Sequence, residues 1–140
     1  MPSFIKTATA LLPLFTSHVS AWNMTFNTVL NCAIPDETAR WYEGEPGTTF
    51  PDEDSILNVE LITPGLWRTI TAEAWDDGCV IDFWHDRPAT SGDQTPTFTL
   101  EKDNDRYVHD TVDGKLCLAE IPGAYPGGDD SLRYWKYNCS

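Results

Sequence analysis

Apolar and polar residues alternate in steps of two in several short segments of this chain, and turn-forming residues recur about every ten to fifteen positions. A period of two sends successive side chains to opposite faces of a strand, whereas a helix repeats every 3.6 residues. No stretch sustains the helical repeat. The pattern predicts strands at residues 23–30, 56–62, 66–75, 79–85, 97–101, 106–112, 115–120 and 131–139, with a short helix beginning after Pro35-Asp36. Loops fall at Gly44-Glu45-Pro46-Gly47, Pro64-Gly65, residues 87–94 and residues 121–130, where Gly, Pro, Asn and Asp cluster. About eight short strands with regular turns predict an all-β fold, a compact antiparallel sandwich or barrel.

Asp77-Gly78 stands between two alternating segments, the signature of a hairpin closed by a two-residue type I′ turn. In that register Trp75 pairs with Val80, Glu73 with Asp82, and Ala72 with Phe83. One face then carries Ile70, Ala72, Ala74, Cys79, Ile81 and Phe83 and is the expected core face. The other carries Thr71, Glu73, Trp75, Val80, Asp82 and Trp84. A three-residue turn would mix polar and apolar side chains on each face, which favours the two-residue register. In the last strand Trp135 and Tyr137 share the face of Cys139 and belong to the core. Leu132 and Tyr134 take the opposite face, which is covered or meets a partner.

Residues 1–21 follow a different logic. Lys6 is the first charged residue and no other precedes Asp36. A short apolar run from Thr7 to Phe15 follows it, and Val19-Ser20-Ala21 then supplies small residues at the −3 and −1 positions. This is the layout of a secretory signal peptide cleaved before Trp22. The run is too short to span a bilayer, which takes about 20 apolar residues. The expected organisation is a signal peptide at 1–21 and a single secreted, extracellular β domain at 22–140. Taking 21 residues from 140 leaves 119, and the 8 basic and 22 acidic residues that remain set a net charge of −14. Such a body repels phosphate backbones and anionic lipid, so neither nucleic acid nor a membrane is an expected partner.

All four cysteines, Cys32, Cys79, Cys117 and Cys139, lie in the exported part. An even count in a small secreted domain predicts two disulfides, and the absence of C-x-x-C spacing disfavours zinc or a redox motif. Three connectivities are possible; Cys117–Cys139 with Cys32–Cys79 is preferred because it pins the last strand to a near neighbour. Asn23-Met24-Thr25 is an N-glycosylation acceptor, with Asn138-Cys139-Ser140 a formal second one hindered by its cysteine.

The outer face of the predicted hairpin holds the strongest candidate chemistry. Glu73 and Asp82 would stand opposite each other at a Cβ separation of about 5 Å, where like charges repel. Trp75 and Trp84 flank them. Covered by a second sheet or loop, the more common arrangement, this face is structural. Left open, it is a sugar-binding surface: indoles stack on apolar sugar faces and carboxylates accept hydroxyl hydrogen bonds. Close carboxylates can also split into an acid and a base, as glycosidases require, which makes Glu73, Asp82 and the neighbouring His85 weak catalytic candidates. His85-Asp86 and His109-Asp110 could form a metal site only if the fold joins them, and two unrelated histidines are the simpler reading. Asp103-Asn104-Asp105 lacks the glycine and closing glutamate of an EF-hand and reads as a turn. No phosphate loop or nucleophile elbow occurs, and no cofactor or metal is implied.

A short signal, an acidic domain from Trp22, four spaced cysteines and Cys139 in the penultimate position together resemble the small secreted cysteine-containing proteins of filamentous fungi. Residues 79–86 (CVIDFWHD) are loosely similar to a βγ-crystallin strand, although Gly92 falls out of step with that family's aromatic-x-Gly spacing. The resemblance implies an effector-like protein, often of β-sandwich fold. The expected function is non-catalytic recognition of an extracellular carbohydrate or protein. A small hydrolase is the alternative, glycosidase-like or ribonuclease-like, the latter drawing on Glu73, His85 and Arg68.

Overall fold

A computed structural model describes residues 21–52, 55–59, 67–89, 92–111, 113–124 and 131–139. Residues 1–20 of the expected 1–21 signal segment, Pro64-Gly65, residues 125–130 and Ser140 lie outside the described residues. Among the described residues, alternating side chains build nine strands and no helix. They are β1 Trp22–Asn27, β2 Arg40–Gly44, β3 Leu57–Asn58, β4 Thr69–Glu73, β5 Cys79–Trp84, β6 Phe98–Glu101, β7 Val108–Asp110, β8 Leu116–Leu118 and β9 Tyr134–Cys139.

Two antiparallel sheets result: a five-stranded one in the order β2-β1-β4-β8-β7, and a four-stranded one in the order β3-β9-β5-β6. Their inner faces make one core. Trp22, Met24 and Phe26 point inward from β1, Ile70 and Ala72 from β4, and Leu118 from β8. Ile81 and Phe83 of β5, Leu100 of β6, and Trp135 and Tyr137 of β9 come from the opposing sheet. Aromatic rings join the layers: Trp22 lies 4.4 Å from Tyr137 and Phe26 4.8 Å from Trp135, centroid to centroid. Such pairs add about 0.5–1.5 kcal/mol each beyond area burial. Gly44 closes β2 over the Trp22 indole, where an added Cβ would come within 2.6 Å of the ring. No larger residue fits there without moving a fully buried tryptophan.

The all-β sandwich with two disulfides matches the pattern, but strand pairing corrects it in four places. First, Asp77-Gly78 does not close a hairpin. Both edges of β4 are already taken, by β1 and β8, while β5 pairs with β6 and β9. The turn is instead a corner between sheets. Ala74 adopts a left-handed φ of 54°, and the next residue, Trp75, turns inward to 3% exposure. Its indole N–H donates to the Cys79 carbonyl at 2.8 Å, which anchors the corner. Ala74, expected in the core, is exposed for the same reason.

Second, the bridges are Cys32–Cys117 and Cys79–Cys139, not the preferred pairing. The near neighbour of the last strand is β5, whose Cys79 stands directly opposite Cys139. Third, no helix follows Pro35. The Asp36 carboxylate accepts from the backbone and hydroxyl groups of Thr28 and Thr38, which fold residues 28–39 into successive turns. Fourth, β2 is an additional strand. It lies at a sheet edge, and Tyr42 is the one large apolar side chain on its inner side, so the pattern marks it weakly.

A part-buried polar hub fixes the corner. The Tyr137 hydroxyl donates to an Asp76 carboxylate oxygen at 2.9 Å and accepts the Asp76 backbone N–H at 2.8 Å. Gly47 donates to the same carboxylate at 2.9 Å. Burial pushes the Tyr137 phenol well above its ordinary pKa, and the neighbouring carboxylate adds to the effect.

Candidate functional site

The outer face of the five-stranded sheet carries a wide cleft. Strand register aligns a cross-strand row there, Thr25–Thr71–Cys117–His109. Cys117 points outward and bonds Cys32, which draws the turns of residues 28–39 across the sheet. A cleft of about 670 Å³ lies between this strap and the β7–β8 turn. Thr25, Asn27 and Thr71 line it together with Ile34 of the strap and His109, Asp110 and Lys115 of the far wall.

Hydrogen bonds orient the cleft surface. Asn27 Nδ2 donates to the hydroxyls of Thr71 at 3.1 Å and Thr69 at 3.3 Å, and Thr69 donates onward to the Val29 carbonyl at 3.0 Å. A hydroxyl has one proton and two acceptor positions. The Thr71 oxygen accepts from Asn27, so its own proton is left to donate into the cleft. On the far wall the Thr111 hydroxyl donates to the Asp113 carboxylate and accepts the Lys115 N–H at 3.1 Å. That side-chain bond holds Asp113 below the usual carboxylate range. Lys115 Nζ lies 3.7 Å from Glu73, a half-exposed pair of small energetic weight.

At the strap, burial raises the Asp36 carboxyl, but the four bonds from Thr28 and Thr38 outweigh it and leave the pKa below its ordinary 3.8. A depressed carboxylate stabilises the fold above its unfolded pKa, and that contribution disappears as pH falls through the lower folded value. In Asp36→Ala we therefore expect the Thr28 and Thr38 amides to lose hydrogen-exchange protection at neutral pH. The wild-type chain should lose it only in acid, below about pH 4. Equal protection in both proteins at pH 7 would show that the clasp is irrelevant.

Comparison of the chain with protein-family models, curated proteins and solved structures found no match. Function must therefore be argued from the residues alone.

The residues singled out by pattern do not meet on one surface. Glu73 ends β4 in one sheet, while Asp82 sits in the middle of β5 in the other. Asp82 is buried and accepts from Thr99 at 2.7 Å and Asn138 at 3.1 Å. Trp84 is 5% exposed, and its indole N–H donates to the Gln94 carbonyl at 3.2 Å. Trp75 is buried in the corner. The ribonuclease-like set is also dispersed: Arg68 directly precedes β4 and Glu73 ends it, about 16 Å apart along an extended chain, and His85 follows β5. His85 instead faces its neighbour Asp86 at 3.4 Å. Among the described residues, no group of three His, Cys, Asp or Glu side chains could hold a metal ion, and no helix is long and apolar enough to cross a membrane.

Thr71, Asn27 and the Asp36 strap carried no signal of their own in the sequence. Thr71 lay on the polar side of β4, but only the Cys32–Cys117 bridge shows that something closes over that side.

Proposed function

We propose that the chain is a secreted, effector-like binding protein that holds a short uncharged glycan in the cleft beneath the Cys32–Cys117 strap. The observation that carries this reading is the pre-oriented Thr71 hydroxyl on the floor of a 670 Å³ cleft. That volume lies in the range of small-ligand sites, about 300–1,000 Å³. Hydroxyl and amide groups on the floor match sugar hydroxyls as donors and acceptors. Asp36, Asp110 and Asp113 against Lys115 make the walls net acidic and disfavour anionic sugars. Two disulfides accord with an oxidising compartment, and cleavage of residues 1–21 would leave all nine strands intact.

The test is a neutral-glycan array followed by titration of the best sugar. Thr71→Val keeps the shape of the side chain and removes the hydroxyl. Loss of one hydrogen bond should weaken binding about three- to tenfold, and because the Asn27 amide also loses this acceptor the melting temperature should fall by a few degrees, so binding is compared well below the transition of both proteins. An array on which the wild-type protein retains no sugar would sink the proposal.

A further inference from the structure

Trp41 presents a feature that the cleft does not use. Among the described residues only Leu30, Ile34 and Trp41 are large apolar side chains left exposed, and Trp41 at 57% exposure is the sole aromatic of the three. It stands on the outer face of β2 directly opposite Thr25, while Glu43 stands opposite Asn23. Asn23 and Thr25 are the first and third residues of the glycosylation acceptor, so the indole is diagonal to the acceptor asparagine. Diagonal cross-strand neighbours have Cα atoms about 7–8 Å apart, within reach of an aromatic side chain. The Asn23 side chain is half-buried on the same outer face, flanked across the strands by Glu43 and Glu73. A sugar attached there leaves the sheet on the side where the indole lies open.

We propose that Asn23 carries an N-linked glycan whose first N-acetylglucosamine lays its apolar C–H face on the Trp41 indole. The attachment forms a bond between Asn23 Nδ2 and the sugar's anomeric carbon, with the lipid-linked oligosaccharide donor of the secretory pathway losing its diphosphate carrier. The inference rests on the export reading above, because that donor is met only in the secretory lumen. The contact removes apolar surface of both groups from water and accounts for a tryptophan that the described residues leave more than half exposed at an edge strand. It also leaves the cleft free, since Trp41 is not among the residues lining it.

The test is a cycle of four full-length chains secreted from yeast: wild type, Asn23→Gln, Trp41→Ala and the double variant, each trimmed enzymatically to one N-acetylglucosamine where a glycan is present. Glycopeptide mass spectrometry should find the sugar on Asn23. The sugar should raise the melting temperature by about 3 °C when Trp41 is present, and by less than a third of that in Trp41→Ala. Ring currents should also move the sugar's proton resonances upfield in the wild-type protein alone, a readout that needs no variant stable enough to melt. A secreted chain with bare Asn23, equal glycan increments with and without Trp41, or unshifted sugar protons would overturn the contact while leaving export standing. Retention in the cell with Met1 intact and Asn23 bare would overturn export and contact together.

Discussion

Removing the Cys79–Cys139 bridge, by Cys79→Ser with Cys139→Ser, is expected to lower the unfolding free energy by about 3–4 kcal/mol. The two cysteines lie 60 residues apart in sequence but face each other in the β5–β9 register. Most of the effect arises in the unfolded chain, which regains the freedom of a long loop. The Cys32–Cys117 bridge spans 85 residues and overlaps that loop, so it already restricts part of the same ensemble and keeps the change below the single-bridge value. The remaining ladder from Val80–Asn138 to Trp84–Tyr134 should hold the sheet register. Natural domains have only about 5–15 kcal/mol in hand. Urea unfolding should thus show a large fall in midpoint with a far-ultraviolet spectrum unchanged in native buffer. A midpoint unmoved within error would mean that the β5–β9 pairing is held without the bridge.

Truncation of Trp84 to alanine should cost about 3–5 kcal/mol, as for other buried tryptophans. An open hairpin face would have made this change nearly silent for stability. In the folded protein Trp84 is 5% exposed, and its loss also strips the Gln94 carbonyl of the indole donor. Two terms therefore combine, a cavity beneath the segment that follows β5 and an unpaired acceptor at its edge. Thermal melts of wild type and Trp84→Ala provide the check. A shift under about 1 °C would show that the side chain lies open to solvent after all.

Much of the strand content and core was readable from alternation. Trp22, Met24 and Phe26 in β1, Ile81 and Phe83 in β5, and Trp135 and Tyr137 in β9 are buried at every second position. The binding face was not readable, because it assumed that neighbours in sequence are neighbours in a sheet. Asp77-Gly78 suits a tight hairpin, yet it equally suits a corner with Gly78 at a φ of 87°. Burial of the Trp75 indole, hydrogen-bonded to Cys79, favours the corner. That one choice separates Glu73 from Asp82, sends Trp84 under the following segment and reassigns every disulfide. Edge strand β2 escaped notice because Trp41 and Glu43 both face solvent and leave only Tyr42 to mark the inner side.

The sequence by itself determined that this chain builds short strands, which side chains of β4, β5 and β9 line the core, and that four cysteines are available to pair. Those properties depend on backbone geometry within a few residues. Tertiary structure alone decided that β4 and β5 belong to different sheets, that Cys32 meets Cys117, and that a strap closes over Thr71. Each of these joins segments tens of residues apart, and their partners are selected by how the aromatic side chains of both layers fill one shared core.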